Sequence, residues 1–151
     1  MRVHRKGRAQ YLASRRLSGL NTHLGVPVVA LTTVVGTATF SSLNESPDTS
    51  IVIIVGLASI LAAVLSALQT FLGFAERAEK HRIAANAYAD LKRRMDIGVI
   101  DIARNGSLNS AVEIASSLIR EIADIDRNSP EAPDKFYDQA RREQEQDSEG
   151  V

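Results

Sequence analysis

The chain has 151 residues, with 18 Lys and Arg against 18 Asp and Glu, and neither cysteine nor tryptophan. That length allows one domain or a domain with tails, the missing thiols exclude disulfides and thiolate metal sites, and the missing indoles leave almost no aromatic belt. The zero net charge is an average over an apolar middle and charged ends, and the chain is basic only at its start, which suits a membrane surface better than nucleic acid.

Residues 1–23 carry Arg2, Arg5, Lys6, Arg8, Arg15 and Arg16 and no acid. A positive leader before an apolar run suggests a signal sequence. The run that follows is too long for a signal h-region, and no small-residue cleavage site precedes a soluble domain, so a signal anchor is expected. Ala13, Leu17, Leu20 and Leu24 repeat at spacings of four, three and four. They predict a short amphipathic helix lying at the interface, its arginines on anionic headgroups. A solvated arm that only sets topology fits the same residues.

Residues 24–43, LGVPVVALTTVVGTATFSSL, are uncharged and just long enough for a first span. Hydroxyls are frequent here and can bond back to their own backbone. Thr32, Gly36 and Thr39 share one face, and Thr33, Thr37 and Ser41 the adjacent one. Pro27 is placed in the first turn, where its missing N–H matters least. Residues 44–50, NESPDTS, form a short polar turn between antiparallel helices.

Residues 51–75, IVIIVGLASILAAVLSALQTFLGFA, hold no charge. At about 1.5 Å per residue they exceed the roughly 30 Å of a bilayer core, so they form the second span. Gly56, Ser59, Ala63, Ser66, Thr70 and Gly73 follow at three, four, three, four and three, and so lie on one stripe. Small residues let another backbone approach, and hydroxyls can bond across the contact. The stripe is therefore either a packing seam or the lining of a narrow watered path in an oligomer. Basic residues flank the pair of spans and acidic ones occupy the turn, so both termini are expected in the cytoplasm.

Residues 76–129 form the cytoplasmic helical region. From Glu76 no Gly or Pro intervenes until Gly98, and the second span is expected to continue as a long rod. Phe74, Ala78, His81, Ala85, Tyr88, Lys92 and Met95 repeat at four and three, a seam for close packing. His81 is placed there as a polar seam residue rather than a metal ligand or sensor, since the other two histidines lack metal spacing. Asn105-Gly106 breaks the rod, and Ser107 or Asn109 can cap a further helix. In that helix Leu108, Val112, Ala115, Ile119 and Ile122 repeat at four and three, flanked by Ile114, Leu118 and Ile125, a face that must pack on the rod or on a partner. Residues 130–151 are polar and acidic, expected to be disordered or at most a frayed helix from Asp134 to Gln146.

The sequence holds no phosphate-binding glycine loop, nucleophile elbow, metal pair or charged residue within the spans. No catalytic residue, metal site or cofactor is expected. Two spans give a monomer no interior, so any conduction needs a homo-oligomer.

Two closely spaced spans, the leader ending in YLASRRLSGLNTHLG, and LQTFLGFAERAEKHRIAANAYADLKRRMDI after the second span resemble the SLATT family over Tyr11 to Ile125. Gln69, Phe74, Glu76, His81, Tyr88 and Leu91 look like that family's pattern at the membrane exit. The resemblance implies a small bacterial two-span effector of a nucleotide-signal-linked conflict system. It would be held inactive in the inner membrane and then permeabilise it, arresting or killing the infected cell. The family supplies no catalytic residues. The trigger would be a partner sensor protein or a nucleotide second messenger bound by the cytoplasmic helices, with Gln69, Phe74, His81 and Tyr88 as the gating seam. The alternative is a non-conducting anchor or scaffold whose cytoplasmic helices recruit a partner. The expected fold is all-α: a transmembrane hairpin, a long cytoplasmic helix and a packed amphipathic helix.

Overall fold

A computed structural model describes residues 2–42, 48–105 and 107–149. The elements are all α-helices: α1 (Arg2–Ser42), α2 (Thr49–Leu72), α3 (Phe74–Asn105), α4 (Leu108–Asn128) and α5 (Asp134–Glu149). The chain divides into two compact units, Leu17–Glu76 on the one hand and Met1–Arg16 with Arg77–Val151 on the other. The expected turn at 44–47, Leu43 and the break at Gly106 lie outside the described residues.

The first unit is the pair of candidate membrane spans. Its half-buried positions include the row Leu24, Val28, Leu31, Val35 and Ala38 on α1, and Val55, Ala58, Leu65 and Gln69 on α2, with Ala62 buried among the latter. Both sets repeat at three and four, the spacing of one helix face packed on another. The opposite faces carry exposed Val26, Val29, Phe40, Ile54, Leu57, Ile60 and Phe71. A core helix of a soluble domain would bury such residues; here they form a continuous apolar exterior that requires lipid.

Two expectations need correction here. The short leader helix and the first span are one helix, since α1 runs from Arg2 through Pro27, which sits well inside it. Nothing between Arg2 and Val26 breaks a helix, and proline is tolerated in spans where neighbouring groups satisfy the freed backbone. The second span does continue into a long helix, but not unbroken: Gly73 takes the left-handed conformation, φ 56° and ψ 34°, and its N–H returns to the Gln69 carbonyl at 3.3 Å. Only glycine adopts that geometry without penalty, so α2 ends there and α3 begins at Phe74.

The second unit packs the start of α1 with α3, α4 and α5. Ala9 and Ala13 of α1 form a core with Ala132 and Phe136, and Leu12 and Tyr137 pack against it. On α3, Ala78, His81, Ala84, Ala85, Tyr88 and Leu91 are buried. Two glycines of this unit permit close approaches. A Cβ on Gly7 would stand 3.0 Å from Cβ of Tyr88, and one on Gly98 would stand 3.1 Å from Cγ2 of Ile114.

Ser107 caps α4, accepting from the Ser110 N–H at 3.3 Å. Of the two apolar rows on α4, Ile114, Leu118, Ile122 and Ile125 are half-buried, whereas Leu108, Val112 and Ile119 stay exposed. Of the one wide face expected to pack, the flanking Ile114, Leu118 and Ile125 do so together with Ile122, the one member of the four-and-three row that shares their burial. The acidic tail is corrected as well: it is helix α5, with Phe136 and Ala140 buried four residues apart on one face. Two apolar positions among charges are a weak signal in sequence, yet they suffice where alanines of α1 offer a flat surface.

Candidate functional site

Two regions carry the residues singled out from the sequence. In the first, Gly56, Ser59, Ala63, Ser66 and Thr70 are all exposed, and Gly73 is half-buried. Each of the first five lies one residue beyond a member of the row Val55, Ala58, Ala62, Leu65 and Gln69. One residue is about 100° of rotation on a helix. The small-residue stripe therefore flanks the hairpin's packing face and is not spent on it. No atom lies within 4 Å of where a Cβ on Gly56 or Gly36 would sit. Thr32 and Thr39 are exposed and Gly36 is half-buried.

Six hydroxyls of the two spans turn inward to their own helix. Thr32 donates to the Val28 carbonyl at 2.9 Å, Thr33 to Val29 at 2.8 Å, Thr37 to Thr33 at 2.9 Å and Thr39 to Val35 at 2.8 Å. Ser59 donates to Val55 at 2.8 Å and Thr70 to Ser66 at 3.1 Å. Such back-bonding removes the cost of an unmet donor in lipid. Gln69 ties the two spans: its Nε2 donates to Asn21 Oδ1 at 3.1 Å, and a Cβ on Gly25 would meet the same nitrogen at 3.1 Å.

The second region is a set of polar links holding the start of α1 to the other helices of its unit. His81, 5% exposed, donates from Nδ1 to Gln10 Oε1 at 2.5 Å. Gln10, also buried, donates from Nε2 to the Pro130 carbonyl at 2.7 Å. Burial first, and the charge of Arg77 second, push the imidazole below its ordinary value, so His81 is neutral at pH 7. Tyr88 donates to Asp126 Oδ1 at 2.5 Å, while Lys6 approaches Asp126 Oδ2 at 2.6 Å. Burial, then the Asp126 carboxylate, raise the Tyr88 phenol far above its usual range. Burial also pushes Asp126 up, but hydrogen bonds from Lys6 and Tyr88 outweigh it and hold the carboxyl below its ordinary value. Arg8 reaches α5, its Nε 2.7 Å from Glu143 Oε2.

The structure therefore brings His81 and Tyr88 into one unit with Lys6, Gln10 and Asp126, and it keeps Gln69 in the spans. Phe74 is half-buried at the start of α3, and Leu91 is fully buried. Arg8, expected with the other leader arginines at headgroups, pairs instead with Glu143, and Lys6 pairs with Asp126. Gln10 and Asp126 carry no local sequence signal, because their partners are 71 and 38 residues away.

These helices define an all-α domain with two spans and a helical unit built from both ends of the chain. A family model described as SMODS and SLOG-associating 2TM effector domain family 4 matches residues 8–149. The chain belongs to this family of membrane-associated two-transmembrane effector domains of conflict systems. The match reaches through α5, beyond the resemblance read from Tyr11 to Ile125. No curated protein and no solved structure matches the chain.

Proposed function

We propose that this chain is the oligomeric membrane effector of a bacterial anti-phage system, forming or gating a pore that permeabilises the inner membrane when triggered. The observation that carries the reading is the stripe Gly56, Ser59, Ala63, Ser66 and Thr70. It lies exposed beside the hairpin's own packing face, so it is available to a neighbouring copy or to a watered path. Both termini lie in the cytoplasm in this reading, because Arg77, Lys80 and Arg82 follow the second span and the turn is acidic. Gating repacks the helices after Gly73, where Phe74, His81 and Tyr88 lie, in response to a sensor protein or a nucleotide signal. No catalytic step is involved.

The test is ion leakage from liposomes containing the purified protein. Ser66→Leu should abolish leakage while insertion and expression are unchanged. Leakage equal to wild type would refute a lumen-facing stripe. A wild-type oligomer with no flux under any trigger would favour the non-conducting scaffold instead.

A further inference from the structure

A cavity of about 380 Å³ lies between the start of α1 and the middle of α3, within the range of small-molecule sites. His4, Arg8, Lys92 and Arg93 line it, together with the Tyr11 ring and the Asn86 amide, and no acidic residue does. Gly7, where an added Cβ would stand 3.0 Å from Cβ of Tyr88, belongs to its wall, so the cavity lies beside a close approach of the two helices. Arg8 stacks over Tyr11 at 5.2 Å, and Tyr11 keeps 43% of its surface exposed. Lys92 makes no ion pair among the described residues, while Arg93 pairs with Asp90 on the outer surface of α3.

We propose that this cavity binds a phosphorylated anion and that binding loosens α5. Lys92, His4 and the guanidinium of Arg93 supply donors to phosphate oxygens, and the tyrosine ring and amide supply a neutral flank. Arg8 is the shared residue. It lines the cavity and also holds Glu143 of α5, so a phosphate competes with that carboxylate. The proposal deepens the reading of the chain as a triggered effector and rests on it only for the consequence, not for the binding.

The experiment is calorimetric titration of the full chain in phosphatidylcholine nanodiscs with sodium tripolyphosphate, at matched ionic strength. Saturable binding is expected, weakened about tenfold by Lys92→Gln and by Arg93→Gln. Arg127→Gln, which alters a cation outside the cavity, should bind as wild type. Glu143→Gln removes the competitor and should tighten binding about two- to fivefold. Repeating the titration in discs containing phosphatidylglycerol separates the sources: weakened binding identifies a lipid headgroup as occupant, and unchanged binding a free phosphate. No saturable heat, or equal binding by wild type and both cavity variants, overturns the proposal. Because binding is measured without flux, its failure leaves the pore reading standing, and a silent pore leaves binding measurable.

Discussion

Replacing Phe136 by alanine should undock α5 while leaving the rest of the second unit folded. Phe136 is 8% exposed and packs with Ala9, Ala13 and Ala132. Removing a buried phenylalanine ring costs about 3–5 kcal/mol. The remaining apolar contacts of α5, Ala140 and the partly buried Tyr137, are smaller. The Arg8–Glu143 pair leaves 39% and 34% of its side chains exposed, a setting in which ion pairs contribute at most about 1 kcal/mol. A 16-residue helix is also marginal by itself in water. Hydrogen exchange followed by mass spectrometry, in nanodiscs, reads this directly. Amides of 136–146 should lose protection by at least about a hundredfold, the equivalent of some 3 kcal/mol, while those of α3 hold theirs. Phe136→Leu should retain most of the protection. Unchanged exchange in the alanine variant would show that α5 is held by something other than this apolar contact.

Two further outcomes follow from the packing and the titration of the same unit. His81 has its basicity depressed in the folded chain, so the unfolded chain takes up the proton first; stability is full above about pH 6.5 and falls as pH drops below it, by at most about 1.4 kcal/mol per unit. Thermal unfolding between pH 7.5 and 5.5 should show this slope and His81→Gln should flatten it, whereas an identical slope in both proteins would assign the effect to other groups. Gly98→Val places a Cβ 3.1 Å from Cγ2 of Ile114, with two methyl groups beyond it, and should destabilise by about 1–3 kcal/mol. Adding Ile114→Ala should recover part of the loss, and strictly additive effects in the double variant would place the crowding elsewhere.

The spans were legible because charge-free length and lipid demand are local properties: Ile51 to Ala75 needs no partner to be understood. The stripe was legible as a periodicity, but not its direction. Only the burial of Ala62 beside exposed Ala63 separates the hairpin's inner face from its flank. Gly73 sat in plain view and was assigned to the stripe by spacing, although its backbone conformation ends the helix. Sequence cannot tell a small residue chosen for packing from one chosen for φ. The docking of the leader lay further from reach. Lys6, Gln10 and Arg8 find partners 120 to 135 residues away at Asp126, Pro130 and Glu143, and such pairing leaves no trace in a window of either segment. Charge alone offered headgroups as the nearer explanation.

The back-bonded hydroxyls of Ser59 and Thr70 bear on which ion the proposed pore would favour. A hydroxyl has one hydrogen and two lone pairs, and at Ser59 and Thr70 the hydrogen is already committed to the carbonyl one turn earlier. What these side chains can turn toward a lumen is therefore oxygen lone pairs alone. Copies of the stripe arranged around an axis would stack rings of acceptors at the levels of Ser59 and Thr70. Such rings replace the water around sodium or potassium and offer nothing to chloride. In the pore proposed above, these two rings would favour a cation leak, one that dissipates the membrane potential.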